Sequence, residues 1–426
     1  MDRRISSVTT RFDRALPVRR RASAAARRLW SVCLWTLALS IAAACSSDPG
    51  GPDPGNGGNG PGNGGNGPGT GTLQIVVTGR VERGLEIQVE ARRNQVALPA
   101  GQVSWSVQPA GAGVVLAGQR IRLTQAGNLT ISATSGDDSE STTLNVPVPP
   151  SIVFDLLRNG NRDIYRVALD GQDLLRLTTH ELEDSGPTAA NGRVVFSGFR
   201  RFVVNQGQDT VAIQDLYSVP VGGGSETRLT STGATERDAA LSRNGQRLAF
   251  TRTEGAQVGT PKIWTANANG GSAARATQNF GFDGSPEVAP SWAPDNNRIV
   301  FVGTAYGNAD LFILNTSNGS VTDLVRTSTP EVEPDWSPDG NWVVFTSERN
   351  NQVDIFRVRV ADGHVEQLTN RAEDDYQPAY LPDGRIVYVA EVAGQRRLRW
   401  MDPANPSEVH DIDIGPGDPG HPAAIF

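Results

Sequence analysis

A phrase recurs along roughly the last two thirds of this chain, and no other feature limits the choice of fold so strongly. It reads "PDWSPDGNWVVFTS" from Pro334, "PSWAPDNNRIVFVG" from Pro290 and "PAYLPDGRIVYVA" from Pro378. Between Ser151 and Phe426 four pieces follow one another in fixed order. An acid and a Pro or small residue lead to "xWS". A turn leads to "R-I/V-V-F". Then come "D-I/L-Y/F" and "xRLT". The aromatic of the second piece stands at Phe154, Phe196, Phe250, Phe301, Phe345 and Tyr388, at intervals of 42, 54, 51, 44 and 43 residues. Each piece is a short apolar run bounded by turn residues, which is the pattern of a strand.

Four strands repeated every ~40–50 residues predict a β-propeller, and six repeats predict six blades. The ends of the repeat match each other. It opens at "SIVF", a second piece without a first, and finishes at "HPAAIF", a first piece without a second. The C-terminal strand is therefore expected to complete the first blade and leave no open edge at the junction. "PDG" at 338–340 and 382–384 is turn chemistry: Pro fixes φ, Asp caps its own turn and Gly accepts a positive φ. Trp292 and Trp336 read as packing between blades.

Written out, "PxWSPDGxxIVFTS…DIFRVRVADGxxxQLT" resembles the repeat of TolB-type β-propellers. For residues 151–426 the resemblance implies a six-bladed, periplasmic, non-enzymatic domain. It transfers fold more than function, because scaffolds, sugar-binding proteins and the gating domains of serine peptidases use the same blade. In place of that family's N-terminal α/β domain, residues 73–149 show short alternating runs separated by Gly, Asn and Asp. That rhythm predicts a small β-sandwich. "VSWSVQPAGAGVV…GQRIRLTQAGNLTISATSG" resembles bacterial Ig-like domains, with Trp105 expected as the core aromatic of a central strand. Pro147 to Pro150 marks the boundary.

The first 44 residues read as a signal peptide. Nine arginines precede the apolar run "LWSVCLWTLALSIAAAC". "AAAC" resembles the lipobox of bacterial lipoproteins, which implies lipidation of Cys45. An uncleaved membrane anchor is the alternative, since the run is just long enough to span. Residues 46–72, almost wholly Gly, Pro, Asn, Ser, Asp and Thr, are a tether that reaches roughly 25–30 Å as a coil. Cys33 and Cys45 are the only cysteines, so no disulfide or cysteine metal site remains after processing. Removing the leader's nine arginines and two aspartates from 39 basic and 46 acidic residues leaves 30 and 44, a net charge of −14. An acidic body argues against nucleic acid as a partner.

Candidate functional residues come from the same repeat. Three positions ahead of the Pro position stand Asp184, Glu236, Glu287, Glu331 and Asp375; the sixth repeat has Pro419 beside Asp418. In a propeller the first strand lines the channel, so these acids are expected to ring one mouth of it. Their focused field would suit a Ca2+ ion, or a basic or N-terminal peptide segment. Solvated surface charge is the plainer reading of such residues. The same face should carry a long loop over 199–214, with Phe199 and Phe202, and a link with Phe280 and Phe282, as contact aromatics. Catalysis finds little support. The four histidines are scattered, and there is neither an HExxH nor a GxSxG motif. The expectation is an all-β envelope lipoprotein that binds a protein or peptide partner without enzymatic activity or cofactor. Carbohydrate binding or processing, and a purely architectural role, are the alternatives.

Overall fold

The computed structural model describes residues 72–426, except 205–208, 256–258, 279, 282 and 283. The signal segment, Cys45 and the tether lie outside the described residues, as does Phe282. The chain divides after Leu73, and nearly all that is described belongs to the unit Gln74–Phe426. Among the described residues no helix is long and apolar enough to cross a membrane.

Six four-stranded antiparallel sheets follow Pro150. The second blade runs Asp184–Ala190, Arg193–Val204, Asp209–Pro220 and Thr227–Arg228 from axis to rim. The next four blades open with inner strands Thr235–Leu241, Glu287–Trp292, Glu331–Trp336 and Asp374–Tyr380. The first blade takes its inner strand from the other end of the chain: Asp418–Ala424 pairs antiparallel with Ser151–Arg158, Asp418 opposite Leu157 and Ala424 opposite Ile152. Each inner strand touches the inner strands of both neighbouring blades, and the sequence of contacts closes on itself after six. The outermost strands are mostly short, down to two residues in the first three blades, so little edge is left to pair with another chain.

The recurring phrase explains this architecture. Phe154, Phe196, Phe250, Phe301 and Phe345, and Tyr388 in the sixth blade, have no exposed surface. Each is a buried aromatic on the second strand of its blade, worth about 1.5–3 kcal/mol of burial. Trp292 and Trp336 are buried between blades. Pro338-Asp339-Gly340 is a turn closed by Gly340 N–H on Ser337 C=O at 3.0 Å, and Asp339 Oδ1 accepts Asn341 N–H at 3.0 Å. Gly340 has φ +72°, which glycine adopts without strain.

Ahead of the propeller, a sheet with strands Leu73–Thr78, Glu86–Arg93, Arg120–Leu123 and Gly113–Leu116 faces a three-stranded sheet of Ser104–Gln108, Gly127–Ser135 and Asp138–Val146. Ile87, Val89, Ile121, Leu129 and Ile131 fill the space between them. Trp105 lies on an edge strand of the smaller sheet and only half-buried beside this core, not on a central strand as expected. The two-sheet layer is tied to the propeller by Arg83, which bonds Asp170 and Asp173 of the first blade, and by Glu82, which bonds Arg385 of the sixth.

Candidate functional site at the central channel

The Pro of the repeated phrase marks a backbone device. Every inner strand carries a bulge where its register with the second strand slips. The first residue of each bulge has a positive φ: Gly186 (58°), Asp238 (52°), Ala289 (51°), Glu333 (56°), Gln377 (54°) and His421 (45°). The second is Pro187, Ala239, Pro290, Pro334, Pro378 or Pro422. A bulge leaves one residue out of the ladder, so the missing proline N–H costs nothing there. Glycine would suit the left-handed position best, yet five of six are side-chain-bearing residues, four of them polar. Such residues are uncommon at positive φ and gather where a site constrains the chain.

Hydrogen bonds between blades hold this belt. Gln377 N–H donates to Glu333 Oε2 at 2.8 Å, and Thr346 Oγ1 donates to the same oxygen at 2.8 Å. His421 N–H donates to Gln377 Oε1 at 2.9 Å. Gly186 N–H donates to Asp155 Oδ2 at 3.0 Å. At Gly186, Gln377 and His421 the amide lifted out of its own ladder is thereby met by a side chain from the preceding blade. His421 Nδ1 lies 2.7 Å from Asp155 Oδ2, and Arg162 also binds that carboxylate. Burial pushes the Asp155 carboxyl up, but His421 and Arg162 outweigh it and hold the group well below the usual carboxylate range. Arg162 reaches on to Asp418 at 3.2 Å, and Asp418 lies 3.6 Å from Arg396, whose guanidinium covers Tyr376. His421, Asp418 and Arg396 keep roughly two fifths of their side chains exposed.

The five acids expected to ring the mouth do open, or nearly open, their inner strands, but all have no exposed surface. They do not form an open negative field. Asp184 pairs with Arg200 at 2.7 Å, Glu236 with Arg252 at 3.0 Å and Glu287 with Lys262 at 2.7 Å. Glu331 accepts from Thr327 and lies 3.6 Å from Arg349. Asp375 has no ion-pair partner within 4.0 Å among the described residues. Burial pushes Asp184 up to about 6 and Asp375 up to about 7. The physical reason for the difference is that each acid sits in a separate junction between blades, turned away from solvent beside the fourth strand of the blade before it. Among the described residues no three His, Cys, Asp or Glu side chains come together in a way that could hold a metal ion, so the expected Ca2+ ring is not assembled from these acids.

The contact aromatics also sit differently. Where the expected loop over 199–214 is described, it is paired strand, from Phe199 opposite Gln214 to Val204 opposite Asp209. Phe199 is half-buried, and Phe202 is half-buried under the Arg228 guanidinium, 4.2 Å from its ring centre. Phe280 packs edge-on against Phe301 and Phe312 and serves the fourth blade's core. It lines a shallow cavity of about 540 Å³ with Tyr306 and Asp323. Sequence reasoning missed Asp155 and Gln377 as belt members; Asp238 and Glu333 stand in the sequence as acids flanking the expected ring. The signal for Gln377 was its position just before the repeated proline, but no glycine pattern flagged it.

A closed ring of six bulged inner strands around a polar channel defines a six-bladed β-propeller protein. Residues 281–410 match the family described as the TolB beta propeller domain. Among solved structures, the chain is similar to TolB from Acinetobacter baumannii, at 16% identity over 70% of this chain and 80% of that one, with a TM-score of 0.54. It is similar also to Kuenenia stuttgartiensis hydrazine synthase, at 12% identity over 65% of this chain and 47% of that one, TM-score 0.53. A nidogen/laminin complex aligns at 10% identity over 65% and 98%, TM-score 0.50. These likenesses are of fold. No curated protein matches the chain by sequence.

Proposed function

We propose that this protein is a non-enzymatic binding scaffold of the bacterial cell envelope that docks a protein or peptide partner at the channel mouth. The observation that carries this reading is the belt itself. Polar side chains at Asp238, Glu333, Gln377 and His421 are held at positive φ, and bonds between blades fix Glu333, Gln377 and His421. A preorganised row of donors and acceptors suits recognition of a peptide backbone or of short polar side chains. In this reading Cys45 carries the lipid, residues 46–72 form the tether and residues 73–149 form an Ig-like module. The acidic net charge of the processed body favours a basic or N-terminal segment as the bound part.

The test is a crosslinking pull-down from native envelope with Glu333→Gln, Gln377→Asn and His421→Asn combined, since Asn tolerates left-handed backbone. Capture should fall at least tenfold while circular dichroism and cooperative melting show that the variant, though less stable, is still folded. Undiminished capture would sink the channel as the docking site. A Cys45→Ala variant should leave the membrane fraction; retention there would favour an anchor helix.

A second reading, carbohydrate processing, draws on the 2.7 Å pair of His421 and Asp155, because an aspartate on Nδ1 orients an imidazole for proton transfer. Release of oligosaccharides from envelope glycans that stops in His421→Asn would favour it over the scaffold.

A further inference from the structure

The junctions between blades repeat one arrangement, and one of them lacks a positive charge the others have. The third strand of a blade carries an acid, a threonine follows the fourth, and the next inner strand brings the second acid. Between the first and second blades Arg176 binds Asp163 at 2.6 Å and Arg200 binds Asp184. Between the second and third, Arg228 binds Asp215 at 2.6 Å and Arg252 binds Glu236. Between the third and fourth, Lys262 replaces the first acid and its ammonium binds Glu287. Between the fourth and fifth, Arg349 approaches Glu331.

The fifth and sixth blades meet around Asp354 and Asp375, which are 1% and 0% exposed. Gln367 lies opposite Phe356, where Arg176 and Arg228 lie opposite Tyr165 and Tyr217. Val392 stands two residues beyond the partner of Asp375, where Arg200 and Arg349 stand relative to the partners of Asp184 and Glu331. Both arginines are thus replaced by uncharged residues. Gln367 Nε2 donates to Asp354 Oδ2 at 3.0 Å. Thr369 Oγ1 accepts Ile355 N–H at 2.9 Å and lies 3.1 Å from Asp354 Oδ1. A hydroxyl has one hydrogen, so serving Asp354 leaves nothing for Asp375, and both Asp375 oxygens are buried without a hydrogen bond. The two donors that reach this pair, Gln367 and Thr369, both serve Asp354, so Asp375 is left with none, and a buried unpaired charge is neutralised before it is tolerated.

We propose that this junction binds one proton, carried on Asp375 beside Asp354 and Thr369, and that losing it as the pH rises to neutrality loosens the seam between the fifth and sixth blades. The groups facing the pair leave room for no other counter-charge. Arg399 is engaged by Asp411 at 2.7 Å and lies 3.8 Å from Glu373. Asp374, Glu373 and Asp354 add negative charge, and the buried Tyr388 hydroxyl, which lacks a partner, faces Asp375. Burial is the main cause pushing Asp375 up to about 7; Thr369 and Arg399 oppose it, and Asp354 and Glu373 add to it.

The sign follows. The folded junction keeps its proton up to about pH 7, whereas the unfolded chain releases it near pH ~3.9. Stability is therefore highest at the acid end. It declines as pH rises from about 4 to 7, by up to about tenfold in the folding constant per unit, and is level above that.

The test compares thermal and urea unfolding of the wild type, Asp375→Asn and Gln367→Arg at pH 5 and pH 8. An amide mimics the protonated acid, so Asp375→Asn should exceed the wild type clearly at pH 8 and by about a hundredfold less in the folding constant at pH 5. Gln367→Arg should flatten the pH slope by holding the ionised pair. A 13C-carboxyl titration of the unaltered protein should show Asp375 titrating near neutrality. A carboxyl that titrates in the ordinary range overturns the proposal, as does an Asp375→Asn variant weaker by the same amount at both pH values. A wild-type melting temperature that drops with EDTA and returns with Ca2+ overturns it too, because a metal ion would then hold the pair.

Discussion

Arg385 and Glu82 meet in a two-pronged ion pair, Nη1 to Oε1 at 2.9 Å and Nη2 to Oε2 at 3.0 Å, with 1% and 4% of their surfaces exposed. One residue ends the turn of the sixth blade, and the other belongs to the two-sheet layer 303 residues earlier. Arg385 also stacks on Trp400 and bonds Asp383. A buried charge keeps its water-free position only while each partner answers the other.

Arg385→Ala is accordingly expected to destabilise the protein by up to about 3–5 kcal/mol, because it leaves the buried Glu82 only the more exposed Arg80, 3.2 Å away, as counter-charge. Replacing both by Met and Leu should recover most of that loss. Urea unfolding of the two single variants and the double variant measures it. A single variant that costs under about 1 kcal/mol would show the pair to be solvated like a surface bridge.

At the channel, the sign of the pH effect is the opposite of that at the fifth junction. The Asp155 carboxyl is held low by His421 and Arg162 against its burial, so its contribution is present above the unfolded value of about 3.9 and lost as pH falls below it. Asp155→Asn should weaken the fold by about 3–5 kcal/mol at pH 7, and the gap to the wild type should narrow toward pH 3. Chemical denaturation across that range checks both; a gap independent of pH would assign the loss to packing.

Deleting residues 418–426 removes the inner strand of the first blade and exposes the ladder of Ser151–Arg158. The truncated chain should lose cooperative melting and associate through that edge, visible by size-exclusion chromatography. A monomer with unchanged melting would mean that closure adds nothing.

Blade number and closure were legible because each rests on a spacing, and spacing survives in a one-dimensional string. Phe154 to Tyr388 kept time, and "SIVF" and "HPAAIF" were halves of one unit. The direction of a side chain is another matter. Asp375 and Gln377 are two residues apart on one strand, where simple alternation puts both on one face. The bulge at Gln377 separates them instead, with Asp375 buried in the junction and Gln377 in the belt. Nothing in "DDYQPAY" announces a positive φ at glutamine. Phe280 shows the same limit: an aromatic in a Gly-rich link can face a partner or fold back, and only the placement of Phe301 and Phe312 beside it shows that it packs on the blade.

The strand Asp418–Ala424 also sets an order of events in time. Arg158 meets Pro416, 258 positions further along the chain, so the first blade must wait, three strands wide, while five others are made. Contacts so distant in sequence form late and slowly. During that interval the edge of Ser151–Arg158 is open to any passing strand. Assembly of this ring is thus most vulnerable at its beginning, which is the last part to be finished.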